Sequence, residues 1–165
     1  MFDRNSFLSE INWAGYCIIQ DVLAPEFVER SREALTEAIE QETMYHKTSD
    51  YREYGMVLLC SLYAPIFTAL FDNRNFLEPF HAVLGEGCIV YAYTSSSMPP
   101  GSTNFSGRMH TDCPRIIPGY VTNMGATILL DDFTEENGAT WFLPGSHRQA
   151  EPPSEDFFYA NARRL

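Results

Sequence analysis

The stretch Arg108-Met109-His110-Thr111-Asp112-Cys113 places a histidine and an aspartate two residues apart. If this segment is extended, both side chains point to the same side, because side chains on a strand repeat every second residue. An imidazole nitrogen beside a carboxylate oxygen makes up two thirds of the 2-His-1-carboxylate site that holds non-haem Fe(II). The third ligand is not evident nearby, so the rest of the chain decides how the pair is interpreted.

The charge of the chain limits its classes of partner. Its 165 residues include 22 acidic and 11 basic side chains, for a formal net charge of −11. Binding to nucleic acid or to an anionic membrane depends on clustered basic residues, so neither partner is expected. The same charge argues weakly against a polyanionic substrate such as a coenzyme A ester. No apolar run approaches the roughly 20 residues that span a bilayer, so we expect a soluble protein.

The length and the cysteines indicate a single intracellular domain. A hydrophobic fraction of 45% over 165 residues is enough for one domain, 1–165, with its own core. The four cysteines are widely spaced, no CxxC pair occurs and no secretory signal opens the sequence. We therefore expect reduced thiols in a cytoplasmic protein.

The first part of the chain, 1–84, is predicted to be mainly helical. Apolar residues at helical spacing predict helices over 3–13, from Pro25 to about 42, over 56–71 and over 75–84. Residues 16–19 have the pattern of a short buried strand. Residues 43–55 lack a clear period and are predicted to form a loop, in which His46 is either a solvated histidine or part of a substrate pocket.

The second part, 85–165, is predicted to contain strands. Residues 88–97 are rich in β-branched, aromatic and hydroxyl side chains, and a Pro-Pro-Gly turn follows them. Residues 124–130 and 139–143 are predicted to pair as a hairpin, because an Asn-Gly turn signal ends the loop 131–138 between them. Helices followed by antiparallel strands predict an α+β fold. A double-stranded β-helix, or jelly roll, behind N-terminal helices suits a metal pair at a strand end.

Together these motifs resemble the phytanoyl-CoA dioxygenase family of Fe(II)/2-oxoglutarate oxygenases. The resemblance rests on the strand, the Pro-Pro-Gly turn, His-Thr-Asp, Leu-Asp-Asp-Phe-Thr-Glu-Glu-Asn-Gly-Ala-Thr and Pro-Gly-Ser-His-Arg, and is most specific over 130–148. It implies a cupin-like jelly roll, Fe(II) and 2-oxoglutarate as cofactors, O2 as co-substrate, and His110 and Asp112 as iron ligands. Because halogenating relatives lack the carboxylate, Asp112 favours hydroxylation or a related oxidation.

The resemblance also suggests contacts for 2-oxoglutarate. Thr94 and Thr127 align with positions that touch this co-substrate in relatives, and a threonine hydroxyl can hydrogen-bond its carboxylate. Both residues are equally compatible with an ordinary structural role in a strand. At the position of Thr127, many relatives carry tryptophan instead. Met44–Tyr54 and Ser102–Met109 are predicted pocket walls, and Cys113 is either an oxidation-sensitive thiol or a packed neighbour of the pair.

The resemblance does not supply a third iron ligand within the chain. In the family, the histidine of Pro-Gly-Ser-His, here His147, belongs to a structural turn, and the iron-binding histidine and an arginine for 2-oxoglutarate come later. No histidine follows His147, and Arg163 and Arg164 fall too early to match that arginine. We expect a chain truncated before this ligand, ahead of two alternatives: a second polypeptide that completes the site, or a non-catalytic remnant.

The sequence thus predicts a non-haem Fe(II)/2-oxoglutarate-dependent dioxygenase acting on a small organic molecule, in secondary metabolism. The alternative is a non-catalytic or regulatory subunit of the same fold with an incomplete metal site. A third hypothesis is a cupin-like metal protein in which His147 binds the same metal as His110.

Overall fold

The computed structural model describes residues 2–45, 55–98, 100–101, 107–113 and 116–164. His46 lies outside the described residues, as does most of the expected pocket wall at Met44–Tyr54. The part of the other expected wall at 102–106 also lies outside them. The pocket walls therefore stay predictions.

The chain divides into two compact units, each built from separate stretches of sequence. Unit 1 comprises Met1–Val22, Arg74–Cys88 and Met109–Leu165, and unit 2 comprises Leu23–Asn73 and Ile89–Arg108. The prediction of a single domain over 1–165 stays a prediction.

Unit 1 begins with helix α1, Arg4–Ala14, which confirms the helix predicted over 3–13. The Asp3 carboxylate caps it by accepting hydrogen bonds from the main-chain N–H groups of Asn5 and Ser6, at 3.0 and 3.1 Å. Gly15 ends the helix with φ 86°, a left-handed conformation that glycine adopts without a steric penalty. Asp3 therefore sets the start of α1, and the left-handed backbone of Gly15 sets its end.

The rest of unit 1 contains two helices and a short sheet. Helix α4, Arg74–Leu84, contacts α1 and confirms the helix predicted over 75–84, with Pro79 buried inside it. Helix α5 spans Glu155–Asn161. Strand β1, Trp141–Phe142, pairs antiparallel with strand β2, Arg163–Arg164.

Unit 2 is organised around helix α2, Pro25–Tyr45, which confirms the second predicted helix and extends it by about a turn. Its buried apolar cluster consists of Ala38, Val57, Cys60, Ile66 and Phe67. The Tyr63 hydroxyl donates a hydrogen bond to the buried carboxylate of Glu42, so this acidic group on α2 has a partner inside the unit.

The segment 56–71, predicted as a helix whose regularity Pro65 limits, does not form a single helix. The segment forms a 3-10 turn at Cys60–Leu62, a short helix α3 at Pro65–Ala69 and a second 3-10 turn at Leu70–Asp72. Proline has no N–H to donate and disfavours helical backbone at the preceding residue. Ala64 is accordingly extended, with φ −149° and ψ 144°, so Pro65 begins a helix instead of continuing one.

Most of the predicted strands are not formed. Residues 16–19 are not a buried strand, since Ile18 is 60% exposed and Ile19 39% exposed. Residues 88–97 make one isolated bridge, between Tyr93 and Leu59, and residues 124–130 form no strand. The predicted strand 139–143 is reduced to β1, and its partner is β2, not 124–130. Strand propensity is a local property, but a strand exists only where a partner supplies hydrogen bonds.

The loop predicted over 131–138 is a well-bonded turn. The Asn137 side chain accepts the main-chain N–H of Thr134 at 2.7 Å, and the Thr134 hydroxyl accepts the N–H groups of Glu136 and Asn137 at 3.3 and 3.2 Å. Gly138 follows with φ 93°, as the Asn-Gly signal predicts. The turn is therefore set by sequence even though the hairpin around it is not formed.

The predicted α+β class is confirmed only as a mixture of helices and a small sheet. The described residues combine helices with one two-stranded sheet, and a complete jelly roll is not formed among them. Within the same residues no helix is long and apolar enough to cross a membrane. The arrangement of the remaining strands stays a prediction.

Phe67→Ala should lower the free energy of unfolding by about 3–5 kcal/mol, because the ring is 6% exposed inside the cluster of unit 2. Leu62→Ala is the matched control, since Leu62 is 76% exposed in the same unit and its removal should change stability by less than about 0.5 kcal/mol. Urea unfolding measures both variants. Equal losses would contradict this assignment of the core.

Candidate metal centre

The structure brings His110 and Asp112 together. The imidazole Nε2 lies 3.1 Å from the carboxylate Oδ1, so the two side chains are in contact, as their two-residue spacing predicts. The two side chains are 43% and 78% exposed, so the residues that the structure describes do not enclose them. Both donor atoms thus face one another at the surface of unit 1.

The spacing of the two donor atoms fits a shared metal ion. Two metal–ligand bonds of about 2.1 Å at a right angle hold their donor atoms about 3.0 Å apart. The observed 3.1 Å between Nε2 and Oδ1 is close to that value. It is equally a hydrogen-bond distance, so without a metal the two groups form a His–Asp ion pair when the ring is protonated. Either way the two side chains are held together.

A third ligand does not join the pair among the described residues. No group of three histidine, cysteine, aspartate or glutamate side chains lies close enough to hold a metal in the part of the chain that the structure describes. His147 is described, so His110, Asp112 and His147 do not form such a group. This finding argues against the cupin-like hypothesis in which His147 completes the site.

His147 has a different role, in a turn that caps α1. The last four carbonyl groups of a helix have no partner within the helix. In α1 the Ala14 carbonyl accepts the N–H of Gly145 at 2.7 Å, and the Trp13 carbonyl accepts Nη2 of Arg148 at 3.3 Å. His147 makes a hydrogen bond to the main chain of Asn12. The turn Pro144–Arg148 therefore covers the end of the helix.

The same turn explains why glycine follows α1. A Cβ atom at Gly15 would lie 2.3 Å from Nδ1 of His147, far inside van der Waals contact. Burial of the ring, together with the nearby positive charge of Arg148, lowers the pKa of His147 below its ordinary value of 6.5, although the hydrogen bond to Asn12 favours the charged ring. The neutral His147 ring packed on the end of α1 has a structural role, as the family resemblance implied for this turn.

The two threonines proposed for 2-oxoglutarate fall in different units. Thr94 belongs to unit 2 and Thr127 to unit 1, and both are exposed. Their contact with 2-oxoglutarate stays a prediction. Cys113, next to the pair, lies with its Sγ 3.4 Å from the Thr122 hydroxyl and is half-buried, as expected for a packed neighbour.

Arg164 takes part in a cluster that the sequence did not reveal. Its guanidinium lies 4.6 Å from the centre of the Trp141 ring, and Nη1 donates to the Glu135 carbonyl at 2.9 Å. Tyr159 packs edge-on against the same indole. These contacts follow from the β1–β2 pairing of Trp141 with Arg164, which no local sequence signal announces.

Comparison with known proteins decides the family. The model of the phytanoyl-CoA dioxygenase (PhyH) family matches residues 11–163, nearly the whole chain. The chain belongs to the phytanoyl-CoA dioxygenase family. Members are generally Fe(II)/2-oxoglutarate-type dioxygenases with a cupin-like fold, so the resemblance identified from the motifs is confirmed.

Two mycobacterial relatives are similar to the chain over almost all of its length. Uncharacterized proteins of Mycobacterium bovis and of Mycobacterium tuberculosis are each 29% identical to it over 172 residues. The match covers 97% of this chain and 63% of each relative, so the chain spans less than two thirds of their length. No solved structure matches.

Gly15→Ala should destabilise unit 1 more than Gly85→Ala does. Both glycines have φ 86°, but a Cβ at Gly85 meets nothing within 4 Å, whereas at Gly15 it meets the His147 ring. Gly85→Ala should therefore cost about 1 kcal/mol for the left-handed backbone. Gly15→Ala should cost about 1–3 kcal/mol more for the clash. Urea unfolding of the two variants gives the difference, and equal costs would show that the turn does not pack on α1 as described.

Proposed function

We propose that the complete protein is a non-haem Fe(II)/2-oxoglutarate-dependent dioxygenase that hydroxylates or otherwise oxidises a small organic molecule. The observation that carries the proposal is the 3.1 Å separation of His110 Nε2 and Asp112 Oδ1 in a chain of this family. That separation suits two cis ligands of one ion, and the family generally uses iron with 2-oxoglutarate.

His110 and Asp112 have distinct roles in this proposal. The neutral imidazole of His110 offers a nitrogen lone pair, and the Asp112 carboxylate adds a negative charge that offsets part of the charge of a divalent ion. When bound, Fe(II) and 2-oxoglutarate supply the oxidation of an unactivated carbon by O2. Because both side chains are exposed, they leave room on the metal for the co-substrate and for O2.

The remaining contacts belong to the proposal as well. Thr94 and Thr127 would donate hydroxyl hydrogen bonds to a 2-oxoglutarate carboxylate. The third iron ligand and the arginine for 2-oxoglutarate would come from a second chain or from a segment equivalent to the part of the relatives outside the match. More than a third of each relative lies outside the matched region, which is long enough to contain such a segment.

The substrate is proposed to be a small molecule of secondary metabolism, oxidised in the cytoplasm. A net charge of −11 disfavours the long-range attraction of a polyanion such as a coenzyme A ester. For the same reason neither nucleic acid nor an anionic membrane is proposed as a partner.

A second candidate is a non-catalytic or regulatory subunit of the same fold. The observation in its favour is that the described residues bring only two ligands of a facial triad together. The two candidates differ in whether succinate is formed when the protein has the length of its relatives.

The function is tested with Asp112→Ala in a form of the protein that has the length of the relatives. Loss of the carboxylate should lower anaerobic Fe(II) affinity by at least about 100-fold, since even partners outside the ligand shell contribute about 10–100-fold. Substrate-dependent succinate release from 2-oxoglutarate should also fall to the background rate. Isothermal titration and a succinate assay measure the two effects.

Asp132→Ala is the matched control, because Asp132 is an exposed aspartate of the same unit that does not join the pair in a group of three possible ligands, and it should keep both properties. Succinate release by Asp112→Ala at the unsubstituted rate would disprove the ligand assignment. Absence of release by the unsubstituted protein across a broad substrate panel would favour the regulatory subunit.

A further inference from the structure

The segment that carries His110 and Asp112 has no regular secondary structure. Residues 109–113, all of which the structure describes, lie in no helix or strand, and the chain bends at Asp112. The main chain there is not held by the repeated hydrogen bonds of a helix or of a sheet, so its position depends on individual contacts. The His110–Asp112 contact joins the pair to itself, but it does not fix the pair relative to the rest of unit 1.

The residue after Asp112 makes a contact of the required kind. Cys113 Sγ lies 3.4 Å from Thr122 Oγ1, within hydrogen-bonding distance for sulfur, and either atom can be the donor. Both residues belong to unit 1, as does the pair. Cys113 and Asp112 share a rigid peptide bond, so a contact that holds the Cys113 side chain also restricts the main chain that carries the carboxylate.

A tight turn comes just before Thr122. The N–H of Tyr120 donates to the Ile117 carbonyl at 3.0 Å, and Gly119 has φ 75°. Proline at the second position and a glycine of positive φ at the third are typical of a type II turn, and Ile-Pro-Gly-Tyr fits both. The ring of the proline restricts the chain before folding, so this reversal is favoured by its own sequence.

The turn and the Cys113–Thr122 contact are nested. Thr122 lies two residues beyond the turn, and its hydroxyl meets Cys113 on the other side of the reversal. The entropic cost of closing a loop rises with the number of residues that are free to move, so a turn that forms locally makes the contact at its base easier to form.

We propose that Thr122 is a positioning residue: its hydroxyl holds Cys113, and Cys113 thereby keeps the Asp112 carboxylate beside His110. The consequence for iron rests on the proposed function, whereas the contact itself is testable without metal. Side chains that bond to metal ligands commonly contribute about 10–100-fold to metal affinity by fixing the orientation of the ligand. Thr122 acts one residue further from the ion and through a sulfur atom, so its contribution should be smaller.

Thr122→Val is the main variant, because valine keeps the shape of threonine and removes the hydroxyl. In a protein of the relatives' length, isothermal titration should show anaerobic Fe(II) affinity about 3- to 10-fold lower, the equivalent of one ordinary hydrogen bond. Thr122→Ser keeps the hydroxyl and should restore most of the affinity. Thr36→Val is the matched control, because it removes an exposed hydroxyl that donates to the Arg32 carbonyl at 3.0 Å within α2, and it should leave Fe(II) affinity unchanged.

A double-mutant cycle tests whether Thr122 acts through Cys113. Cys113→Ala should lower Fe(II) affinity by a factor similar to that of Thr122→Val. The protein with both substitutions should bind Fe(II) about as well as either single variant, because both changes remove the same contact.

Hydrogen–deuterium exchange of the metal-free protein separates this inference from the proposed function. Amides of the peptide that contains 109–113 should exchange at least about 3-fold faster in Thr122→Val than in the unsubstituted protein or in Thr122→Ser, because the segment loses a contact. The same acceleration in a protein that binds no Fe(II) would support the positioning of Asp112 by Thr122 and contradict the proposed function.

Four results would overturn the inference. Unchanged exchange at 109–113 in Thr122→Val would do so whether or not iron binds. Where the unsubstituted protein binds Fe(II), so would an unchanged affinity in Thr122→Val. Equal losses of affinity in the valine and serine variants would show that the hydroxyl is not responsible. Losses that add in the double variant would show that Thr122 does not act through Cys113.

Discussion

The capping of α1 by the turn Pro144–Arg148 is the interaction on which unit 1 depends. It satisfies helix carbonyl groups that would otherwise lack partners, through Gly145 to Ala14 and Arg148 to Trp13. It also joins residues more than 130 positions apart in sequence. The turn follows β1 directly, so the cap ties the first helix to the sheet. Because His147 packs on the end of α1, it is not the third metal ligand of the pair.

The helical elements could be predicted because their signals are local. Gly15 and Pro25 mark a helix end and a helix start within a few residues, and α1, α2 and α4 agree with the spacing of their apolar side chains. The strands could not be predicted in the same way. Residues 88–97 and 124–130 have strand composition, but their partners are set by distant parts of a fold. The pairing of β1 with β2 has no local signal for the same reason.

In the candidate site, too, local features could be predicted and features that depend on distant residues could not. The contact between His110 and Asp112 could be predicted from their two-residue spacing, because residues so close in sequence can meet without any distant pairing. The positions of Thr94 and Thr127 relative to a co-substrate depend on tertiary structure, and they stay proposals. The Trp141–Arg164 cluster was missed because it requires a strand pairing of only two residues. Members of the family are generally Fe(II)/2-oxoglutarate-type dioxygenases, and the role of the pair in such a reaction stays a proposal.

Binding of one iron ion between His110 and Asp112 is the part of the proposed function that can be tested most directly. Anomalous X-ray scattering at the iron edge, on crystals of the relative-length protein loaded anaerobically with Fe(II), locates the metal directly. We expect an iron peak within about 2.2 Å of both His110 Nε2 and an Asp112 carboxylate oxygen. A peak at His147, or an ordered protein with no iron between His110 and Asp112, would contradict it.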